Sequence, residues 1–176
     1  MYALDAWIAA WLVPLAVFVL VSGLDDLFLD AAFVYRWLAF RLFGRPAFPW
    51  PTQEEVDAAP RLRIAIFAPL WHEHGVIGSM LERNVPATMY YAAEFFVGAY
   101  PNDRETVAAV REASRRFPRV HLALCPHDGP TSKADCLNWI YQTMLSHEQR
   151  HGVRFDVVVT HDAEDVIHPE ELRWIN

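Results

Sequence analysis

Asp162, Glu164 and Asp165 follow directly on the apolar run Val157–Thr160. Carboxylates this close repel one another when all are ionised. A divalent cation such as Mg²⁺ or Mn²⁺ relieves the repulsion and keeps positions open for phosphate oxygens. Acids at a helix start also suit the helix dipole, which accounts for Glu170 and Glu171 behind Pro169 but not for Asp162. Lys133, the chain's only lysine, follows a Gly-Pro-Thr-Ser loop and opens a helical segment. A cation beside free backbone N–H groups there suits an anion, with a solvated lysine as the alternative. His72 and His74 flank Glu73, while His161 and His168 flank the acids. With Asp162, the histidines 72, 74 and 168 form an alternative set, that of a zinc or iron hydrolase. No HExxH helix, GxxxxGK[ST] or GxGxxG cradle, or GxSxG elbow is present, so phosphate binding rests on a metal.

These residues need a rigid edge to stand on. Apolar runs at 62–68, 94–99, 120–125 and 155–160 read as strands. Between the second and third, a helix is expected over about 103–117, with Asn102 as N-cap and Glu105 completing a capping-box-like start. Between the third and fourth, 132–151 places Leu137, Ile140, Tyr141, Met144 and Leu145 on one face, and Gly152 suits its end. This alternation predicts a mostly parallel α/β sheet covered by helices. Ligands of such sheets bind beyond the carboxyl ends of the strands, in the loops 69–75, 100–103, 126–133 and 161–169.

Ahead of the sheet, the chain is built for a membrane. From Ala6 to Leu24 there is no charge, about the ~20 residues a bilayer core requires. No Lys or Arg precedes the run, so it lacks the basic start of a cleaved signal peptide. An amphipathic interfacial helix is expected over 27–43, and a Pro-rich linker over 46–60. The expected organisation is an anchor over 1–45, the linker, and a soluble domain over 61–176. Arg36, Arg41, Arg45, Arg61 and Arg63 all follow the span, which places the N-terminus outside and the domain in the cytoplasm. Cys125 and Cys136 would then be ordinary reduced thiols. A net charge of −7 argues against a nucleic-acid partner. Arg115, Arg116 and Arg119 are accounted for as a helix end.

Taken together, the loops resemble those of family 2 glycosyltransferases over 61–176. IAIFAPLWHEHGVI is similar to the family's first strand and Pro-x-x-Asn-Glu loop, with Pro69 and Glu73 matching and His72 in place of Asn. KADCLN, from Lys133 to Asn138, is similar to its Lys-Ala-x-x-Leu-Asn segment. THDAEDVIHPEEL is similar to its Asp-x-Asp motif, with Glu164 replacing the second Asp. FVGAYPND with HDAED behind a membrane anchor most resembles an inner-membrane subfamily associated with phage adsorption and an exported polysaccharide.

The resemblance implies a Rossmann-like nucleotide-diphospho-sugar transferase half-domain. Asp162 and Glu164 would hold Mg²⁺ or Mn²⁺, and Pro69, Glu73, Asp103, Lys133, Asn138 and Asp165 would bind the nucleotide sugar, a UDP-sugar by family default. It further implies a saccharide acceptor, an inverting reaction, an inner-membrane location and an outer-membrane export partner. Where the family places an Asp pair after the second strand, this chain has Gly98 and Ala99. The general base, an Arg-Trp segment and further membrane helices are expected beyond Asn176, which leaves no catalytic base in this chain and a fragment inactive alone. A non-enzymatic envelope or phage-receptor protein is the third alternative.

Overall fold

The apolar run near the N-terminus folds as helix α1, Tyr2–Phe43, in a computed structural model that describes residues 2–44 and 51–176. Two helices were expected here; there is one. Asp25, Asp26 and Asp30 sit within it without a break, because a charged side chain leaves the i→i−4 backbone ladder intact. Pro14 is accommodated inside the helix. The stretch Ala9–Phe43 is long and apolar enough to cross a membrane.

The second unit runs from Thr52 to Asn176. Position 45 of the expected anchor and positions 46–50 of the expected linker lie outside the described residues; the linker's remainder contains a short helix, α2, Gln53–Ala58. The Thr52 hydroxyl accepts from the Glu55 N–H while the Glu55 carboxylate accepts from the Thr52 N–H. This reciprocal cap satisfies two otherwise orphaned donors. Asp57 pairs with Arg173, so the segment is tied to the domain rather than linking to it.

Strands β1 (Ile64–Pro69), β2 (Ala93–Ala99), β3 (Val120–Leu124) and β4 (Val157–Thr160) form a four-stranded sheet in the order β3-β2-β1-β4. Every pairing is parallel, as expected. Side chains alternate across β1: Ile64, Ile66 and Ala68 enter one core, and Ala65 and Phe67 the other. The first core receives Ile77 and Leu81 from α3 (His74–Ala87) and Val110 from α4 (Arg104–Arg116). The second receives Cys136, Ile140 and Met144 from α5 (Lys133–His151), which ends at Gly152 in the left-handed region, φ 63°. That conformation suits glycine.

Two helix assignments change. The sequence reading left no helix between the first two strands, yet α3 occupies that position. Its Ile77, Met80, Leu81 and Val85 are buried at helical spacing, a pattern interrupted by Gly75, Gly78 and Pro86. The N-cap of α4 is Asp103 rather than Asn102, and its carboxylate accepts from the Thr106 N–H. At the chain's end, α6 (Glu171–Ile175) begins two residues after Pro169, with Glu170 as N-cap. Arg119 belongs to no helix end; its guanidinium donates to the carbonyls of Val85 and Tyr90.

Candidate functional site

The chain runs β1-β2-β3 in one direction across the sheet and returns to place β4 on the other side of β1. This reversal opens a crevice at the carboxyl ends of β1 and β4, the place where open α/β sheets bind ligands. An open cavity of about 290 Å³ lies there, lined by Pro69, Trp71, Glu73, Tyr100, Lys133 and Asp162, among others. Four of these six are residues the sequence reading selected. Lys133 Nζ donates to Asp162 Oδ1 at 2.5 Å, and this bond to the carboxylate holds the Lys133 ammonium above its ordinary pKa. The pair joins the start of α5 to the loop after β4, with both side chains more than half exposed.

The acidic loop is shaped by its own hydrogen bonds. Asp165 Oδ2 accepts from the Asp162 N–H at 2.9 Å and lies 3.1 Å from His161 Nδ1. The Asp162 N–H first, and His161 next, hold the Asp165 carboxyl below its ordinary range. The second imidazole nitrogen of His161 lies 3.0 Å from Glu171 Oε1, off the line that a hydrogen bond needs. Asn84, buried in α3, donates to the Asp165 carbonyl at 2.8 Å and accepts from the Ile167 N–H at 3.1 Å. Asn84 escaped the sequence reading because its helix did.

Hard carboxylate oxygens from Asp162 and Glu164 fit Mg²⁺ or Mn²⁺ in donor chemistry. The two are not brought to one cavity. Glu164 and Asp165 line a separate one of about 270 Å³, with Val76, Ser79 and Arg83 of α3. Extended backbone would set positions 162 and 164 on one face, but the chain turns at 163–164 and separates their side chains, which a linear motif does not reveal.

Asp103 is placed differently from the expectation. It is 3% exposed, with Oδ2 accepting from the His72 N–H at 2.7 Å and Oδ1 from the Thr106 N–H at 3.4 Å. Burial pushes its pKa up, and the hydrogen bonds from Thr106 and His72 outweigh burial and leave it lowered. Its carboxylate is thus committed to holding the loop after β1 against α4. Asn138 is exposed on the outer side of α5, beside Asp135, Trp139 and Gln142, and does not line the Lys133 cavity.

Two aromatic residues that the sequence reading passed over form a wall of the cavity. Trp71 and Tyr100 meet edge to face, with centroids 5.6 Å apart. Tyr100 Oη shares a 2.7 Å hydrogen bond with Thr131 Oγ1, and Asn102 exchanges two hydrogen bonds with the Gly129 backbone. A Cβ at Gly129 would stand 2.6 Å from the Tyr100 ring. The loops after β2 and β3 therefore close on each other only because position 129 has no side chain.

The hydrolase set does not assemble. His72 faces Asp103, His74 lies 3.3 Å from Glu105, and His168 Nδ1 accepts from the Glu170 N–H. Among the described residues, the three potential metal ligands that do converge are Glu94, His121 and His147. Cys125 and Cys136 are both buried, and burial, then the Cys136 neighbour, pushes the Cys125 thiol up to about 12. A thiol so hard to ionise is no nucleophile.

Residues 60–176 match the family model described as "Glycosyltransferase like family 2". Bacteriophage adsorption protein B of Escherichia coli K12 and bacteriophage N4 adsorption protein B of Escherichia coli O157:H7 are each 40% identical to the chain over 164 residues. These matches cover 93% of the chain and 22% of either relative, so the chain spans under a quarter of their length. Among solved structures, a mannosyltransferase from Pyrobaculum calidifontis, in complex with GDP-Man and Mn²⁺, superposes with a TM-score of 0.54 at 25% identity. That likeness covers 86% of this chain and 40% of the other.

Proposed function

From the premise that the chain belongs to glycosyltransferase family 2, we propose that it supplies the donor side of a metal-dependent transferase. In this reading, the enzyme moves a sugar from a nucleotide-sugar donor to a saccharide acceptor. The observation that carries it is the meeting of Lys133, Asp162, Glu73 and the Trp71–Tyr100 wall in one cavity at the switch point of the sheet.

Each residue has a part that its chemistry suits. The Lys133 ammonium is a point charge for a diphosphate oxygen, at the start of a helix whose N–H groups favour anions. Trp71 and Tyr100 offer apolar faces with polar edges for a base or sugar ring. Glu73 accepts hydrogen bonds from donor hydroxyls or the base. Asp162 would hold the divalent cation, and Glu164, which lines the neighbouring cavity, adds negative charge to the same loop. When bound, such a cation stabilises negative charge on the departing nucleotide diphosphate. Asp103 serves by holding the His72 backbone, and Asp165 by holding Asp162.

The mannosyltransferase in complex with GDP-Man supports a nucleotide-sugar donor and brings GDP-mannose beside UDP-sugars as a donor to test. The apolar stretch Ala9–Phe43 supports a membrane anchor. The arginines that follow the apolar run support an orientation with the domain on the cytoplasmic side, and the adsorption-protein relatives support a role linked to phage adsorption.

Calorimetric titration of the full chain in detergent with UDP-glucose and with GDP-mannose, with and without Mn²⁺, tests the reading. Saturable binding of one donor that needs Mn²⁺ and is lost in Asp162→Ala is expected. Binding that ignores both the metal and the substitution overturns the assigned site.

A further inference from the structure

At the sheet edge opposite the donor cavity, three side chains face one point. Glu94 is the second residue of β2 and His121 the second of β3, while His147 lies in the last turns of α5. Register pairs Phe96 with His121 on the α5 side of the sheet, and the strand period puts Glu94 on that side with Phe96. Glu94 Oε2 lies 2.7 Å from His121 Nε2 and 3.2 Å from His147 Nε2. The contact with His147 does not align as a hydrogen bond, so two imidazole nitrogens converge on one oxygen and only one of them bonds to it. All three ligand atoms lie within 4.8 Å of one another. Donors around a single ion at bonds of ~2.0–2.2 Å stand roughly 3–4 Å apart.

We propose that Glu94, His121 and His147 form a site for a divalent transition metal of the zinc class, bound through Oε2 and the two Nε2 atoms. Two imidazoles and one carboxylate are a borderline donor set that favours such an ion over Mg²⁺ or Ca²⁺. The surroundings supply the outer support such sites use. The Arg63 guanidinium donates to the other Glu94 oxygen at 3.0 Å, leaving Oε2 to face the histidines. The His151 ring stacks on that of His147 at 4.1 Å, and Phe96 packs against both ligand rings. His121 and His147 line a cleft of about 460 Å³ with Arg111, Arg115 and Arg150. A fourth coordination position faces that cleft, where water or a small anion completes the shell. The ion would join β2, β3 and α5 at the end of the sheet opposite the donor cavity, independently of the donor reading.

Cobalt(II) titration of the metal-stripped full chain in detergent tests this, since His-ligated Co²⁺ of low coordination number absorbs strongly in the visible and a carboxylate–water site does not. One equivalent should develop the bands, and Zn²⁺ should bleach them. His147→Gln and His121→Gln should abolish them, and Arg63→Gln should weaken binding about 10- to 100-fold. Asp162→Ala should leave them intact, which separates this site from the donor cavity. Circular dichroism of each variant reports folding. Absence of bands in the folded wild type overturns the proposal, as does their survival in folded His147→Gln and His121→Gln or their loss in Asp162→Ala.

Discussion

Lys133 Nζ and Asp162 Oδ1 stand 2.5 Å apart although 29 positions separate them in the chain. Each is half-exposed at the mouth of the cavity, so the pair holds little folding energy of its own; exposed ion pairs contribute ~0–1 kcal/mol. Its consequence is functional. In the proposed reading, the ammonium that would meet a phosphate and the carboxylate that would meet a metal neutralise each other without ligand, and both would be freed by a metal nucleotide entering between them.

Lys133→Met should therefore leave the urea midpoint within about 0.5 kcal/mol of wild type. Donor affinity should fall about 10- to 100-fold, the loss of one charge-assisted hydrogen bond of ~1.5–3 kcal/mol. Calorimetry with Mn²⁺ present measures it, and undiminished affinity removes Lys133 from the site.

Gly98 is the contact point of β2 with α5. A Cβ there would stand 2.6 Å from Cys136 Sγ and 2.7 Å from Ile140. Gly98→Ala should destabilise the domain by about 1–3 kcal/mol through overpacking. Gly98→Asp, which restores the acid that the family places near this point, should cost more, because the charge has no room and no partner. Denaturant melts of the two variants give the ranking.

Asp103 gives the loop after β1 a pH dependence. Its folded pKa is lowered from 3.8. Between that folded value and 3.8 the unfolded chain binds the proton and the folded chain does not, so stability rises with pH there. The contribution is complete above the unfolded value and is lost as pH falls through the folded one. Asp103→Asn should flatten that acid limb, and Asp103→Ala should cost about 1–3 kcal/mol at neutral pH by removing a cap and leaving the His72 N–H without its acceptor. Melting temperatures across pH 2–5 (roughly two units below to one above the ordinary Asp pKa) read both effects.

His72 holds φ +58°, the left-handed region, at the position where the family motif carries Asn. A histidine adopts that conformation at a cost that Asn bears more easily. His72→Asn should stabilise the domain by a few tenths to about 1 kcal/mol without altering donor binding. A lower melting temperature would show that the ring's contacts with Trp71 and Asp103 outweigh the backbone term.

Much of this site could be read before any coordinates. Glu73, Lys133 and Asp162 each follow or begin an element whose period is plain in the sequence, and the rule that ligands gather beyond strand ends then groups them. Where the reading failed, the deciding contact lay outside the local pattern. Asp103 looks like a free acid in a loop until the His72 N–H is seen against it. Asn138 shares a helix with Lys133, but five residues on at 100° per residue it projects from a different side. The α3 pattern was hidden because glycines and a proline, poor helix formers, sit among its buried positions, and packing on the sheet overrides propensity.

The four strands, the two helices between the later strands and the long apolar run were determined by the sequence alone, since apolar alternation, helical spacing and run length are properties of neighbouring residues. The acid cluster after the fourth strand and the lysine before the long helix belong to the same local order. Only the tertiary structure decided which of these meet. Pairing β4 with β1 rather than with β3 sets Asp162 against Lys133 and Glu73. Packing α5 across β2 and β3 gathers Glu94, His121 and His147, with 27 positions between the first two. Strand order comes from burying both faces of the sheet at once, a condition on the whole chain that no window of neighbouring residues contains.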